Sequence, residues 1–382
     1  MATPACDILF AMPPNWHELR KDFPALDRYV YLSAAAGSPT PRPVRETVSR
    51  FYLEMEEAGD LLWDAWLARR EAVRVKAAQL VNADPDEITF VPNTSTGMNL
   101  IADLLGGEGP VLSDELEFPS VTLPWIHRGA AVHFIPAVEG VIHRESFAAA
   151  DAPRAATIAV SHVQFSNGCR LDLDAFGTLK EGRNLVVCGS QSAGAFPVDV
   201  RKNGIDAFAT AGHKWLCAGY GTGFVYVSRA ILAKHPPRSI GWLSVENAFG
   251  FDNRQYKLLA SGRRSELGCP DFPAIFALGA ALDHAMAIGI ELIAERILEL
   301  NTYLTVCLER AGFTVLSPGG EHRSGETLVE VPNPRKAAAF LRERGIVVTR
   351  KPQGLRISTH YYNTEQDIDA CLAALSDYRS SL

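Results

Sequence analysis

The feature that most constrains the fold is an alternation of short apolar segments with helical patterns between residues 30 and 270. Strands that alternate with helices are typical of a mainly parallel sheet covered by helices. Helical periodicity is clearest in Leu62–Val81, whose charged residues group on a face that we interpret as solvated. The predicted strands are Ile88–Pro92, Pro110–Leu112, Val132–Ile135, Thr157–Ser161, Leu185–Cys188, Ala207–Thr210 and Gly223–Val227.

The rest of the chain predicts a smaller unit of mixed helix and strand. Long helices are expected over Phe272–Ala311, and they lead into three more strands and two more helices. These are strands at Thr327–Val331, Val347–Arg350 and Gly354–Ser358, and helices at Pro334–Arg344 and from Glu365. We therefore expect an α/β fold with a large domain at residues 30–270 and a smaller α+β C-terminal domain at 271–382, with its linking helix. An N-terminal segment, residues 1–29, is expected to pack on the smaller domain.

Composition excludes several classes of partner. The 382 residues carry a net charge of −7, which argues against a nucleic-acid or anionic membrane surface as the partner. No apolar run reaches bilayer length, and the N-terminus lacks the basic start of a secretory signal. The seven cysteines are scattered without a CxxC spacing, so we expect neither a metal site nor a disulfide framework. A cytoplasmic location fits best.

Two strand ends carry small polar residues that suit a ligand site. Asn93, Thr94 and Ser95 lie between a predicted strand and a helix, where free backbone N–H groups and the helix dipole favour an anion. The same pattern is common in ordinary helix caps, so alone it is weak evidence for phosphate binding. Cys188 ends another strand and is followed closely by Gln191. Ligands of open α/β sheets bind at this carboxyl edge.

The most specific chemical signal is the run Gly212-His213-Lys214-Trp215. A lysine beside a phosphate-sized group of donors is what an enzyme needs to hold pyridoxal phosphate as a Schiff base. The glycines of Gly219–Gly223 resemble a nucleotide-binding pattern, but a strand follows them instead of a helix. We interpret them as a hairpin-like turn.

The order of these segments resembles the class V aminotransferase family. This family of fold-type-I pyridoxal phosphate enzymes includes cysteine desulfurases, isopenicillin N epimerase and kynureninase. The resemblance runs from Tyr31-Leu32-Ser33 to Tyr362-Asn363-Thr364, and Gln191 with His213-Lys214 is its most specific part. It implies pyridoxal 5'-phosphate as cofactor, an amino acid as the small-molecule substrate, and a homodimer with the active site at the interface.

The resemblance also implies a role for individual residues. Lys214 would form the Schiff base and move the α-proton. Gln191 would lie beside the phenolic oxygen of the ring, and Phe118 would stack on the pyridine. The substrate carboxylate would be held by Arg356, and Trp242 could line the substrate pocket. The residues that the resemblance implies would hold the phosphate are Thr94, Ser95, His213 and Thr210.

The chain departs from the family at several positions. Relatives place Asp where Cys188 stands, and a thiol is a poorer partner for a protonated ring nitrogen. We expect this change to penalise transamination most and rapid loss of a β-leaving group least. Cys269 replaces a hydroxyl residue that relatives supply from the partner subunit. Phe165 replaces an asparagine near the ring oxygen, for which Gln164 or Asn167 could substitute.

A nucleophilic cysteine, which desulfurases carry shortly before the carboxylate-binding arginine, is missing from the run Ile346–Arg356. Our leading hypothesis is therefore a lyase that cleaves the C–S bond of a cysteine S-conjugate by β-elimination. The alternatives are an epimerase, a decarboxylating or oxidative enzyme, an aminotransferase, and a degenerate protein that binds the cofactor without catalysis.

Overall fold

The computed structural model describes residues 14–150 and 155–382. Residues 1–13 of the predicted N-terminal segment, including Cys6, lie outside the described residues. The strands are β1 (Val30–Tyr31), β2 (Ile88–Phe90), β3 (Val111–Asp114), β4 (Val132–Ile135), β5 (Thr157–Ser161), β6 (Asn184–Cys188), β7 (Ala207–Ala211), β8 (Gly223–Val227), β9 (Glu326–Glu330), β10 (Ile346–Val347), β11 (Thr349–Arg350) and β12 (Gly354–Ser358).

The helices are α1 (Trp16–Arg20), α2 (Arg42–Ala58), α3 (Trp63–Leu80), α4 (Thr94–Leu105), α5 (Pro119–His127), α6 (Arg144–Ala149), α7 (Leu173–Leu179), α8 (Arg229–Lys234), α9 (Phe272–Ile288), α10 (Ile290–Arg310), α11 (Pro334–Glu343) and α12 (Glu365–Ser380).

A seven-stranded sheet forms the centre of the larger part, in the order β2-β8-β7-β6-β5-β3-β4. Strands β3, β4, β5, β6 and β7 pair in parallel with their neighbours, whereas β8 runs antiparallel to both β7 and β2. Strands β5, β7 and β8 are buried along their whole length, and β6 is buried from Leu185 onward, which explains their continuous apolar sequences. The predicted mainly parallel α/β architecture is confirmed.

The register of the central strands sets the position of the site. Ser161 at the end of β5 lies opposite Cys188 at the end of β6, and Cys188 in turn lies opposite Ala209 in β7. These carboxyl ends therefore meet at one edge of the sheet. The loop from Gly212 to Thr222 returns the chain from β7 to the antiparallel β8 across the same edge.

A second, antiparallel sheet follows residue 325 in the order β11-β12-β9. Its apolar face packs with α10, α11 and α12 around Leu300, Leu304, Val329 and Ile357. The segment predicted as one strand at Val347–Arg350 is divided into β10 and β11, because β10 pairs with β1 while β11 pairs with β12.

The described part of the N-terminal segment contacts the C-terminal residues. Arg20 makes two hydrogen bonds to Asp367, at 2.7 and 3.0 Å, and Phe23 packs on Tyr362 at 4.8 Å between ring centroids. A bidentate arginine–carboxylate pair fixes orientation as well as position.

Among the described residues, no single helix is both long and apolar enough to cross a membrane. The consecutive helices α9 and α10, bent by 78° at Gly289, would pass that test only as a pair and only by length and composition.

Candidate active site

A cavity of about 380 Å³ opens at the carboxyl edge of the central sheet, beside the ends of β5 and β6. It brings together residues that lie far apart in the sequence. The lining residues are Ala35, Ala36, Asn93, Thr94, Ser95, Phe118, Ser120, Ser161, Val163, Phe165, Cys188, Ser190, Gln191, His213, Lys214, Lys351 and Arg356.

Lys214 lies on the loop between β7 and β8, and tight packing of that loop fixes its backbone. Gly212 donates to the Thr222 carbonyl at 2.7 Å and accepts from Ala218 at 2.8 Å. A Cβ at Gly212 would lie 2.8 Å from Thr222 Cγ2, so glycine permits this approach. Burial lowers the pKa of the Lys214 amine, and Cys188 opposes the shift. An amine with a lowered pKa is a competent nucleophile toward an aldehyde.

The N-terminus of α4 forms one wall of the cavity. Asn93 caps the helix by accepting from the Thr96 N–H at 2.9 Å. The neighbouring N–H groups of the first turn have no carbonyl partner within the helix, because no helical turn precedes them. The Thr94 hydroxyl contacts the Ser190 hydroxyl at 2.6 Å, and the Ser95 hydroxyl contacts that of Ser120 at 2.6 Å. Hydroxyls and a helix N-terminus together suit an anion the size of a phosphate group.

His213 lies next to Lys214 and stacks on Tyr220 with 4.6 Å between ring centroids. Burial, with a smaller contribution from Lys214, lowers the pKa of His213 to about 4. The imidazole is therefore neutral near pH 7, and it can donate one hydrogen bond but adds no positive charge.

Phe118 and Gln191 occupy other parts of the wall. Phe118 is 47% exposed and meets Phe165 edge to face at 5.0 Å, so its ring is not part of the hydrophobic core. Gln191 is held on both sides, because its Nε2 donates to the Ala35 carbonyl at 3.0 Å and its Oε1 accepts from Trp215 at 2.8 Å. An aromatic face and a fixed amide can orient a planar ring between them.

Cys188 is buried at the end of β6, where its thiol donates to Ser190 at 3.3 Å. Burial, followed by the nearby charge of Glu117, raises the pKa of this thiol. Glu117 lies behind the wall and accepts hydrogen bonds from the backbone and the hydroxyl of Ser161, the latter at 2.6 Å.

Arg356 reaches the cavity from β12 and is almost fully buried. One of its terminal nitrogens donates to the Phe165 carbonyl at 2.7 Å and lies 3.0 Å from Glu326. Glu326 and Arg356 therefore form a close ion pair whose geometry does not meet that of a hydrogen bond, and among the described residues Arg356 Nε has no hydrogen-bond partner. Lys351 adds a second cation beside Arg356, with its ammonium 4.1 Å from the centre of the Phe165 ring.

Five residues predicted from the sequence do not line this cavity. Thr210 is fully buried and donates to the Gly189 carbonyl at 3.2 Å, while Gln164 lies behind the wall and donates to Asp114 and Glu117. Cys269 is exposed in a separate cleft of about 490 Å³ with Phe90 and Thr96 among its lining residues. Trp242 lines another cleft, where it stacks on Phe251 at 6.1 Å. Asn167, the other candidate near the ring oxygen, instead donates to Gly140 at 2.7 Å.

Sequence reasoning missed several polar residues of the site. Ser190 could have been found, because it stands between Cys188 and Gln191 on a predicted strand end. Glu326 gave only the weak signal of a carboxylate opening an apolar strand, and Lys351 gave none. The other missed members are Ser120, Ser161, Asp114 and Glu117.

The arrangement fits the cofactor predicted from the sequence. A buried lysine, a helix N-terminus with hydroxyls, an aromatic wall and a fixed amide surround one cavity. Arg356 lines the same cavity, and a guanidinium there is suited to receive a carboxylate.

Comparison with known proteins supports the same family. The sequence matches the family description Aminotransferase class-V over residues 30–371. It is 26% identical to the uncharacterized aminotransferase YcbU of Bacillus subtilis (strain 168) over 362 residues, which covers 94% of this chain and 95% of the relative.

Two solved structures show the same fold. The apo cysteine desulfurase of Thermococcus onnurineus NA1 superposes with a TM-score of 0.89 at 25% identity, covering 97% of this chain and 100% of the other. The cystine C–S lyase C-DES, in complex with its product cysteine persulfide, superposes with a TM-score of 0.85 at 23% identity, covering 93% and 99%. A C-DES variant carries glycine covalently linked to its pyridoxal phosphate. The chain is a member of the class V aminotransferase family, and its cofactor is pyridoxal 5'-phosphate.

Proposed function

We propose that this enzyme cleaves the C–S bond of a cysteine S-conjugate by β-elimination, releasing a thiol, pyruvate and ammonia. The observation that carries the proposal is the cysteine content of the cavity. Among the described residues that line it, the cysteine is Cys188, which is buried and whose pKa is raised. A thiol in that state is a poor nucleophile, so sulfur transfer to a cysteine of the enzyme is disfavoured.

The residues that would hold the cofactor are those of the α4 terminus and its surroundings. Thr94, Ser95 and the free N–H groups of the first turn would bind the phosphate, and Phe118 would cover the ring. When bound, the cofactor supplies an aldehyde that links to an amine and a ring that withdraws electrons from the α-carbon.

Substrate orientation would depend on Arg356 and Lys351. Both cations line the cavity, and together they would bind the α-carboxylate while Phe165 limits its approach. Holding the carboxylate in this way presents the α-proton to Lys214, whose lowered pKa favours the free amine that must accept that proton. The thiolate then departs from the β-carbon as the electron pair of the broken C–H bond forms the new double bond.

Cys188 favours elimination over transamination in this proposal. A neutral thiol stabilises a protonated ring nitrogen less than a carboxylate does, so negative charge at the α-carbon is stabilised less. Transamination would need that charge to persist until a proton is delivered to the cofactor, whereas elimination would remove it at once by expelling the leaving group. The fold of a cystine C–S lyase is compatible with such a reaction.

The proposal is tested by incubating the holoenzyme with S-alkyl and S-aryl cysteine conjugates. We expect thiol, pyruvate and ammonia in equal amounts, and Lys214→Ala should abolish their formation. Alanine with a protein-bound persulfide, formed when free cysteine is the substrate, would instead identify a desulfurase. Deuterium uptake into recovered substrate without loss of the side chain would identify an epimerase.

An aminotransferase is the second candidate, favoured by the similarity to YcbU over almost the whole chain. Conversion of the cofactor to pyridoxamine phosphate by an amino donor, with a keto acid in equal amount, would support it. The products of the two assays therefore distinguish an aminotransferase from a lyase.

We also propose that the active protein is a homodimer. Cys269 is exposed in an apolar cleft, and Trp242 lies near the exposed rings of Phe249 and Phe251. A second copy would cover these surfaces and could bring its Cys269 to the cavity. Light scattering should give twice the chain mass, and a monomeric active enzyme would contradict this proposal.

A further inference from the structure

An acidic pair lies on the far side of β5 from Cys188. Asp114 is buried at the end of β3, and the half-buried Glu117 follows it just before α5. Gln164 Nε2 donates to both carboxyl groups, at 2.9 Å each. Two adjoining carboxylates repel each other strongly when both are ionised, which favours a state in which the pair shares one proton and carries one negative charge.

Ser161 connects this acidic pair to the cavity. Its backbone N–H and its hydroxyl both donate to Glu117, the hydroxyl to Oε2 at 2.6 Å. A serine hydroxyl has one proton and two lone pairs, so with its proton directed to Glu117 the oxygen remains able to accept a hydrogen bond. Ser161 lies opposite Cys188 in the register of β5 and β6, and both residues line the cavity.

Cys188 alone does not replace the carboxylate that relatives carry at its position. Its thiol donates to the Ser190 hydroxyl at 3.3 Å, and burial keeps it protonated and uncharged. An uncharged thiol offers no negative charge to offset a proton on a neighbouring aromatic nitrogen. Glu117 is a nearby source of that charge, and it already raises the pKa of Cys188.

We propose that the carboxylate missing at position 188 is supplied from Glu117: the protonated pyridine nitrogen of the bound cofactor donates to Ser161 Oγ, and the charge of the Asp114–Glu117 pair stabilises that proton through the hydroxyl. Ser161 then contacts the cofactor, and Glu117 is a positioning residue. The charge lies one hydroxyl farther from the nitrogen than a direct carboxylate, so its stabilisation is weaker. The ring is an electron sink of intermediate strength.

This inference rests on cofactor binding and not on the proposed lyase activity. Its test is the ¹⁵N chemical shift of pyridoxal phosphate labelled at the ring nitrogen and bound to the enzyme without substrate. We expect the shift of a protonated nitrogen in the unmodified holoenzyme. Ser161→Ala and Glu117→Gln should each move it toward the unprotonated value, because each interrupts the hydrogen-bonded path from the ring nitrogen through Ser161 to Glu117.

Ser113→Ala is the matched control. Ser113 lies on strand β3 next to Asp114, and its buried hydroxyl donates to the Ala159 carbonyl at 2.7 Å. Among the described residues, that hydroxyl makes no hydrogen bond to Asp114, Glu117 or Ser161. Its variant should keep the shift of the unmodified holoenzyme. A change in this control equal to that of Ser161→Ala would show a general packing effect and overturn the proposal.

A second variant keeps the proposal testable if Glu117→Gln does not fold. Cys188→Asp restores a direct carboxylate, so the double variant Ser161→Ala/Cys188→Asp should regain the protonated signal. An unprotonated nitrogen in the unmodified holoenzyme would overturn the proposal, as would a protonated signal that persists in Ser161→Ala. A negative result in the lyase assay leaves this measurement unaffected.

Discussion

Lys351 is a cavity residue whose charge changes near physiological pH. Burial, followed by the neighbouring Arg356, lowers the pKa of its ammonium to about 8, while Glu326 opposes the shift. Lys351 is therefore protonated below about pH 8 and loses its charge as the pH rises through that value. At the residue scale, this predicts that carboxylate binding weakens in alkaline solution.

The prediction is a rise in the KM of an amino-acid substrate above about pH 8, with kcat changing less. Lys351→Gln should raise KM at neutral pH and remove the inflection. Lys351→Arg should keep a low KM into the alkaline range, because a guanidinium does not lose its proton there. An inflection of unchanged size in Lys351→Gln would assign the effect to another group, such as Lys214.

At the scale of the element, the position of α4 depends on one glycine. A Cβ on Gly97 would lie 2.7 Å from Val225 Cγ2 and 3.0 Å from the Cβ of Ala209, so the helix can approach β7 and β8 only without a side chain there. Gly97→Ala should push the N-terminus of α4 away from the sheet and cost about 1–3 kcal/mol of the free energy of unfolding. Affinity for pyridoxal phosphate should fall as well.

Gly107→Ala is the control for this prediction, because a Cβ at Gly107 meets no atom within 4 Å. The free energy of unfolding is measured by denaturation of the apoenzyme, and cofactor affinity by absorbance titration. Unchanged cofactor affinity in Gly97→Ala would mean that the phosphate site does not depend on this helix contact.

A buried ion pair connects α3 to the segment before Cys269. Arg74 donates to Glu266 at 2.6 and 3.0 Å and to the Ile88 carbonyl at 2.9 Å, and it is 1% exposed. Removing Arg74 leaves the mostly buried Glu266 carboxylate with the more distant Arg70, at 3.8 Å, as its counter-charge. Arg74→Met should therefore lower the free energy of unfolding by about 3–5 kcal/mol.

Lys76→Met tests a more exposed ion pair of the same helix, with Asp283 at 2.6 Å, and should change stability by about 0–1 kcal/mol. The double variant Arg74→Met/Glu266→Leu should recover part of the loss, because no unpaired charge remains. Urea denaturation of the three variants measures these differences. A loss in Arg74→Met no larger than in Lys76→Met would contradict the assigned role.

At the scale of the whole molecule, the fold was largely predictable from the sequence. Strands β5 to β8 are short, apolar and separated by helical or glycine-rich segments, and each was predicted to within a residue or two. Their order in the sheet was not, because pairing depends on contacts between distant segments. The family resemblance predicted Lys214 and Arg356 as site residues, and both line one cavity.

The parts of the site that were not predicted are those that depend on three-dimensional proximity. Glu326 and Arg356 are far apart in sequence and meet because β9 and β12 pair with Arg356 opposite Leu328. Glu117 meets Ser161 only because β3 and β5 are neighbours in the sheet. No local pattern in the sequence records such a contact.

The central claim is that Lys214 binds the cofactor covalently, and two lysines line the cavity. The most direct measurement is borohydride reduction of the holoenzyme, followed by proteolysis and mass spectrometry of the labelled peptide. We predict the reduced pyridoxyl group on Lys214, with no labelling at that site in Lys214→Ala. A label on Lys351 in the unmodified protein, or no label at all, would contradict the account.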